Sequence, residues 1–279
     1  MSQNRAVPDA RRTLDADFLG LQLAVDAPAA HFVVTGRLCA PFGFLYGGSG
    51  LAACVVAAEA VTGRPLVWVT TQYVANAFPG EVVELQVDVV AEGRATSQTH
   101  VRGMVGERTV LHSTTAHTER DRGEIRWWGR PPVVAEPDSC PPLDTSWAPT
   151  TESFFHQLDR RIPPDQDAAL VEGRLLLWCR MPAWPIGSPA SQGFIADIVP
   201  MALSIALGRP PGGTSLDNTV RIVVGEPPVE HDDWVLLDIE AEGFGRSIGH
   251  GRVRLWRRDG TLIGTGSQSC IVRTSHHTS

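Results

Sequence analysis

The chain has 279 residues, 43% of them hydrophobic and 20% charged, with a formal net charge of −7. That acidic balance excludes non-specific nucleic-acid binding, which needs a basic face, and the complete absence of lysine excludes a Schiff-base or P-loop lysine. No apolar run reaches the roughly 20 residues of a membrane span, and the N-terminal MSQNRAVPDARRTLDAD lacks the apolar stretch of a secretory signal, so a cytoplasmic protein is expected.

The first element in chain order is GFLYGGSGLAACVVAAEAVTGRP (43–65), an apolar, alanine-rich segment whose length predicts a buried helix. Gly63 stands where a helix-terminating glycine belongs, with Pro65 just beyond. Strand candidates follow at 67–78, 82–90, 97–105 and 109–118, β-branched and partly alternating. A Pro-rich stretch, PPVVAEPDSCPPLDTSWAP (131–149), reads as a linker or an ordered loop. RLLLWCR then predicts a strand that opens a second half. That half has its own apolar segment, GFIADIVPMALSIALGRP (193–210), ending at Gly208 and Pro210. Strands are predicted at 215–224, 234–242, 249–256 and 261–272, with Asp259-Gly260 as a hairpin turn.

The two halves repeat. Gly93-Arg94 and Val101-Arg102 recur 152 positions later as Gly245-Arg246 and Val253-Arg254, and Thr109-Val110-Leu111 falls on Thr261-Leu262-Ile263 at the same offset. The expected organisation is an N-terminal repeat over 15–125, a Pro-rich linker over 126–165 and a C-terminal repeat over 166–275. The two helical segments differ in one respect. The second has an acid, Asp197, near its front; the first has no carboxylate before Glu59.

A buried helix followed by antiparallel strands, written twice, resembles the double hotdog fold, an α+β architecture. More narrowly the chain is similar to the bacterial acyl-CoA thioesterase II (TesB-like) family over roughly 20–275. The residues that carry the likeness are Tyr46-Gly47-Gly48 opening the first helix, Asp197 in the second, the segment Ser215-Leu216-Asp217-Asn218, and Ser267-Gln268-Ser269-Cys270 on the last strand. Against the family pattern, Ser215 stands for threonine and keeps the hydroxyl, Asn218 stands for histidine, and Ser269-Cys270 stands for Glu-Gly. The resemblance implies that Asp197, Ser215 and Gln268 position a water, that acyl-CoA is the substrate with no bound cofactor, and that the protein forms homo-oligomers.

In chemical terms, an ionised aspartate accepts a proton from water, and a hydroxyl and an amide fix that water's direction. A helix dipole would keep Asp197 ionised. Gly47 and Gly48 offer backbone N–H groups at a helix start for a developing oxyanion. Arg252 and Arg254 share a strand face and are candidates for the phosphates of coenzyme A. Each has a plainer reading: Asp197 as a helix cap, Ser215 and Gln268 as solvated polar residues, Gly47-Gly48 as a tight turn, the arginines as a soluble strand edge.

Other chemistries find little support. GGSGL (47–51) is one residue short of a nucleophile elbow, and GFGRSIG (243–249) lacks dinucleotide-loop spacing and sits between strands. There is no H-E-x-x-H, and the five scattered cysteines, without a C-x-x-C pair, suggest neither a disulfide framework nor a zinc site. Cys54 and Cys270 read as buried packing residues. A hotdog hydratase needs a histidine five residues beyond its aspartate, and that position is Ala202. A non-catalytic acyl or lipid carrier is the remaining alternative.

Overall fold

The computed structural model describes residues 10–24, 27–120, 124–144, 152–164, 166, 170–209, 212–225 and 234–272. Alternation of small and β-branched residues produces long strands. In the first half these are β1 (Gln22–Leu23), β2 (Ala29–Val33), β3 (Leu66–Tyr73), β4 (Val82–Glu92), β5 (Thr96–Val105) and β6 (Arg108–Thr118). In the second they are β7 (Asp159–Arg161), β8 (Arg174–Arg180), β9 (Thr214–Ile222), β10 (Val235–Gly245), β11 (Ile248–Arg257) and β12 (Leu262–Ile271).

All twelve pair antiparallel in one sheet of order β1-β2-β4-β5-β6-β3-β9-β12-β11-β10-β8-β7. Each half contributes six strands in the same relative order, read outward from the β3–β9 seam. The seam runs from Trp68 opposite Arg221 to Gln72 opposite Asp217, and Thr70 and Thr219 share a hydroxyl hydrogen bond of 2.9 Å across it.

The helices are α1 (Ala10–Leu19), α2 (Gly47–Thr62), α3 (Pro189–Ala196) and α4 (Val199–Ala206). Every residue of α2 from Gly48 to Glu59, and every residue of α3, is buried. The apolar sequence of these helices is therefore what a helix closed in on all sides requires. α2 ends as expected: Gly63 is left-handed at φ 69° and its N–H returns to the Glu59 carbonyl. Glu59 itself is structural, its carboxylate accepting the Leu66 N–H at 2.8 Å and fixing the start of β3.

The second apolar segment departs from expectation. It starts earlier, at Pro189, because Ser188 caps it by accepting the Ser191 N–H while Pro189 supplies a preset first turn. It then breaks at Asp197 and Ile198, since Pro200 has no N–H to give and its ring would crowd the carbonyl one turn back. Pro210 lies outside the described residues.

The outer faces of the two half-sheets differ. On the second half Leu176, Trp178, Trp234, Leu236, Trp256 and Leu262 form an apolar face, covered by Trp127, Val134, Ala135 and Cys140 of the Pro-rich segment. Trp178 donates its indole N–H to the Ala135 carbonyl at 2.9 Å, and Arg258 pairs with Glu136 at 2.6 Å. That part of the segment is thus an ordered cover. All five cysteines are buried and free.

The β10–β11 hairpin turns through Arg246 (φ 52°) and Ser247 (φ 61°), two non-glycine residues in left-handed backbone. This is the geometry that Asn-Gly turns occupy without strain. Arg246→Asn with Ser247→Gly should stabilise the protein by about 1 kcal/mol, measured as a rise in urea midpoint with unchanged slope.

Candidate active site

The first turn of α2 abuts the end of α3. A Cβ built on Gly48 would lie 2.2 Å from the Phe194 carbonyl oxygen, and one built on Gly47 would lie 2.3 Å from Oδ2 of Asp197. Only glycine permits that approach. Tyr46, just before α2, fixes the contact from the other side: its hydroxyl donates towards the carbonyls of Phe194 (2.9 Å) and Asp197 (2.8 Å). Its ring stacks on Phe154 with centroids 3.7 Å apart. Behind this, Phe18, Trp184 and Phe194 pack ring against ring. Asp15 on α1 ties the group down by accepting from the Trp184 indole (2.6 Å) and the Ser188 hydroxyl (2.8 Å).

Asp197 is 4% exposed. The Ser215 hydroxyl donates to its Oδ1 at 2.8 Å. The Gln268 side-chain N–H groups reach that same Oδ1 and, at 2.8 Å, the Ser215 oxygen. The structure therefore brings Asp197, Ser215 and Gln268 into one hydrogen-bonded set, with Gly47 and Gly48 against it. β9 and β12 place the latter two, being paired neighbours with Cys270 opposite Ser215 and Asn218 opposite Gln268. Asp217 is structural: its carboxylate accepts the Ser269 N–H at the irregularity in this pair.

Three expectations change. First, Asp197 does not open a helix; it closes α3 and precedes α4. Burial pushes its carboxyl up to about 7, against the opposing pull of Ser215, Gln268 and the Gly48 N–H. Dehydration outweighs the dipole, so the acid is poised near neutrality rather than held ionised. Second, the Gly48 N–H is directed at that carboxylate and not at an open position. Third, Arg252 and Arg254 do not reach the site. They pair with Glu240 at the strand face outside the cavity lining, Arg252 also with Glu242 (3.2 Å) and Arg254 with Asp238 (3.7 Å). Their charge is already answered there.

A cavity of about 290 Å³ opens onto Asp197, Ser215, Gly47 and Tyr73. Its walls are largely apolar, with Leu45, Leu111, Phe154 and Met201, and Phe42 at 55% exposure marks the mouth. Gln268 is not among its lining residues and sits behind the acid, which makes it a positioning group. Sequence reasoning passed over Tyr73. The available signal was scarcity: the chain has two tyrosines, and both lie against the Asp197 region. Among the described residues no three potential ligands gather as a metal site, and no helix is long and apolar enough to cross a membrane.

Two family models match the chain, one for an acyl-CoA thioesterase N-terminal domain over residues 38–118 and one for an acyl-CoA thioesterase C-terminal domain over residues 137–272. The chain belongs to the acyl-CoA thioesterase family. It has the double hotdog architecture. A protein from Novosphingobium aromaticivorans, provisionally assigned as a thioesterase, is 30% identical over 90% of this chain and 98% of its own, with a TM-score of 0.81. A hotdog-fold protein from Alicyclobacillus acidocaldarius is 18% identical over 96% and 99%, TM-score 0.81. The acyl-CoA thioesterase II TesB2 of Mycobacterium marinum is 16% identical over 94% and 99%, TM-score 0.70. No curated protein matches this chain.

Proposed function

We propose that the thioesterase hydrolyses acyl-CoA by a water that Asp197 deprotonates, with Ser215 and Gln268 holding the carboxylate in place. The observation that carries this reading is a buried acid poised at about 7 beside an apolar cavity. A general base works best when its proton affinity is near the working pH. Both protons of the Gln268 amide are spent on Asp197 Oδ1 and Ser215, and Ser215 spends its own on the same Oδ1. Among the described residues no side chain donates to Oδ2, so it is the oxygen left to accept from water. The acyl chain would lie along the apolar wall, where burial is worth roughly 0.8 kcal/mol per methylene. Coenzyme A would remain outside the mouth, in keeping with a cytoplasmic enzyme.

The test is thiol release from a series running from butyryl- to palmitoyl-CoA. Release that disappears with Asp197→Asn supports the reading. Binding without release by the parent protein would favour a carrier and contradict it.

A further inference from the structure

We propose that Tyr73 is a further catalytic residue of this thioesterase: its phenolic O–H donates to the carbonyl oxygen of the bound thioester and to the oxyanion that forms there. This rests on the reading of Asp197 as the base and supplies the group that meets the opposite charge.

Tyr73 ends β3, beside the seam, and lines the cavity together with Asp197 and Gly47. Its ring packs onto Gly47. A Cβ placed on that glycine would lie 2.8 Å from the phenolic carbon, 3.0 Å from the phenolic oxygen and 2.3 Å from Asp197 Oδ2. The phenol and the carboxylate thus converge on one Cα from the cavity side. The Tyr73 oxygen is buried and has no hydrogen-bond partner among the described residues. The other tyrosine, Tyr46, has its hydroxyl engaged by two carbonyls. A buried hydroxyl with nothing to bond is uncommon in native proteins and calls for a reason; a ligand oxygen arriving through the cavity supplies one.

The charge around Tyr73 decides the role. Burial and the nearby Asp197 both push its phenol well above the ordinary value, so it keeps its proton and acts only as a donor. Attack on a thioester needs an acceptor for the water's proton and a donor for the carbonyl oxygen, and the acid and the phenol divide those tasks. Of the first-turn N–H groups of α2, that of Gly47 is, among the described residues, the one left beside the phenol to meet the oxyanion. The Gly48 N–H is directed at Asp197, and the N–H groups of Ser49 and Gly50 return to the Tyr46 carbonyl.

In the step itself the water oxygen bonds to the carbonyl carbon and its proton passes to Asp197. The carbonyl π pair moves onto oxygen, where Tyr73 stabilises it without giving up hydrogen. Collapse restores the carbonyl and breaks the carbon–sulfur bond, and the proton on Asp197 goes to the departing thiolate. Water and thioester give acid and thiol.

The experiment compares parent, Tyr73→Phe and Asp197→Asn on the best substrate of the butyryl- to palmitoyl-CoA series, with thermal denaturation of each. Loss of one oxyanion donor lowers kcat by about 10²–10³-fold, so Tyr73→Phe is expected to fall by that factor with KM nearly unchanged and melting temperature unchanged or raised. Retention of kcat to within about threefold overturns the inference. So does a marked fall in melting temperature, which would show the hydroxyl to be bonded within the fold. Asp197→Asn separates the two ideas: an active Asp197→Asn sinks the base, while the Tyr73→Phe result still decides the donor.

Discussion

Asp197→Asn lowers kcat by roughly 10³–10⁴-fold, the upper range for loss of a positioned general base, with little change in KM. The asparagine keeps the shape of the carboxylate, and Ser215 and Gln268 can still donate to its oxygen. What disappears is the ability to take a proton from water. The pH profile of the parent gives an independent check. With Asp197 at about 7, the catalytic form is the deprotonated one. Activity is therefore half-maximal near pH 7, falls about tenfold per pH unit below that, and is level above it.

The same acid has a thermodynamic signature of opposite sense. Its native proton affinity exceeds that of an unfolded aspartate at about 3.9, so the folded state binds the extra proton. Stability is full below about pH 4, declines as pH rises towards 7, and stays reduced above, by an amount on the order of 4 kcal/mol. Asp197→Asn lacks this titration. Its denaturation midpoint should vary less than the parent's between pH 5 and pH 8, which places activity and stability on opposite slopes around one group.

The second large effect is structural. Gly48→Ala drives a methyl to within 2.2 Å of the Phe194 carbonyl oxygen, a backbone atom with no rotamer to escape into. Overpacking of this kind costs about 3 kcal/mol or more, a melting temperature lower by about 6–12 °C for a chain of this size. Because Phe194 and Asp197 share α3's last turn, relief of the clash moves the acid away from Ser215 and Gln268. Activity should fall even in the folded fraction. Calorimetry together with kcat on that fraction checks both parts; an alanine variant with parental melting temperature and kcat would show that α2 and α3 are not in contact as described.

Much of this was legible in the residues. The two alanine-rich apolar segments, both closing at Gly-Arg-Pro, and the eight long alternating strands gave the repeat, and the repeat gave the double hotdog. Asp197, Ser215 and Gln268 could be singled out as candidates because the family likeness fixed their places on those elements, and the fold brings their side chains together. What escaped was set by distance. β1 and β7 have two and three residues, too few for any period to show. The docking of Asp15 against Trp184 joins residues 169 apart. The proton affinity of Asp197 depends on dehydration by a helix from the other repeat, so a local helix-dipole argument pointed the wrong way. Arg252 and Arg254 matched a phosphate site by spacing alone, and only their cross-strand pairing with Glu240 showed their charge to be taken.

The central claim is that water, not the carboxylate itself, attacks the thioester, and a single turnover in heavy-oxygen water tests it most directly. With enzyme in excess over acyl-CoA, direct attack by solvent places the heavy oxygen in the carboxylic acid released on the first turnover. Attack by Asp197 would form an anhydride; water opening it at the aspartyl carbonyl carries an ordinary oxygen from the protein into that first product and leaves the label on the enzyme. Labelled acid is the predicted result; unlabelled acid with a heavier Asp197 peptide would contradict the account.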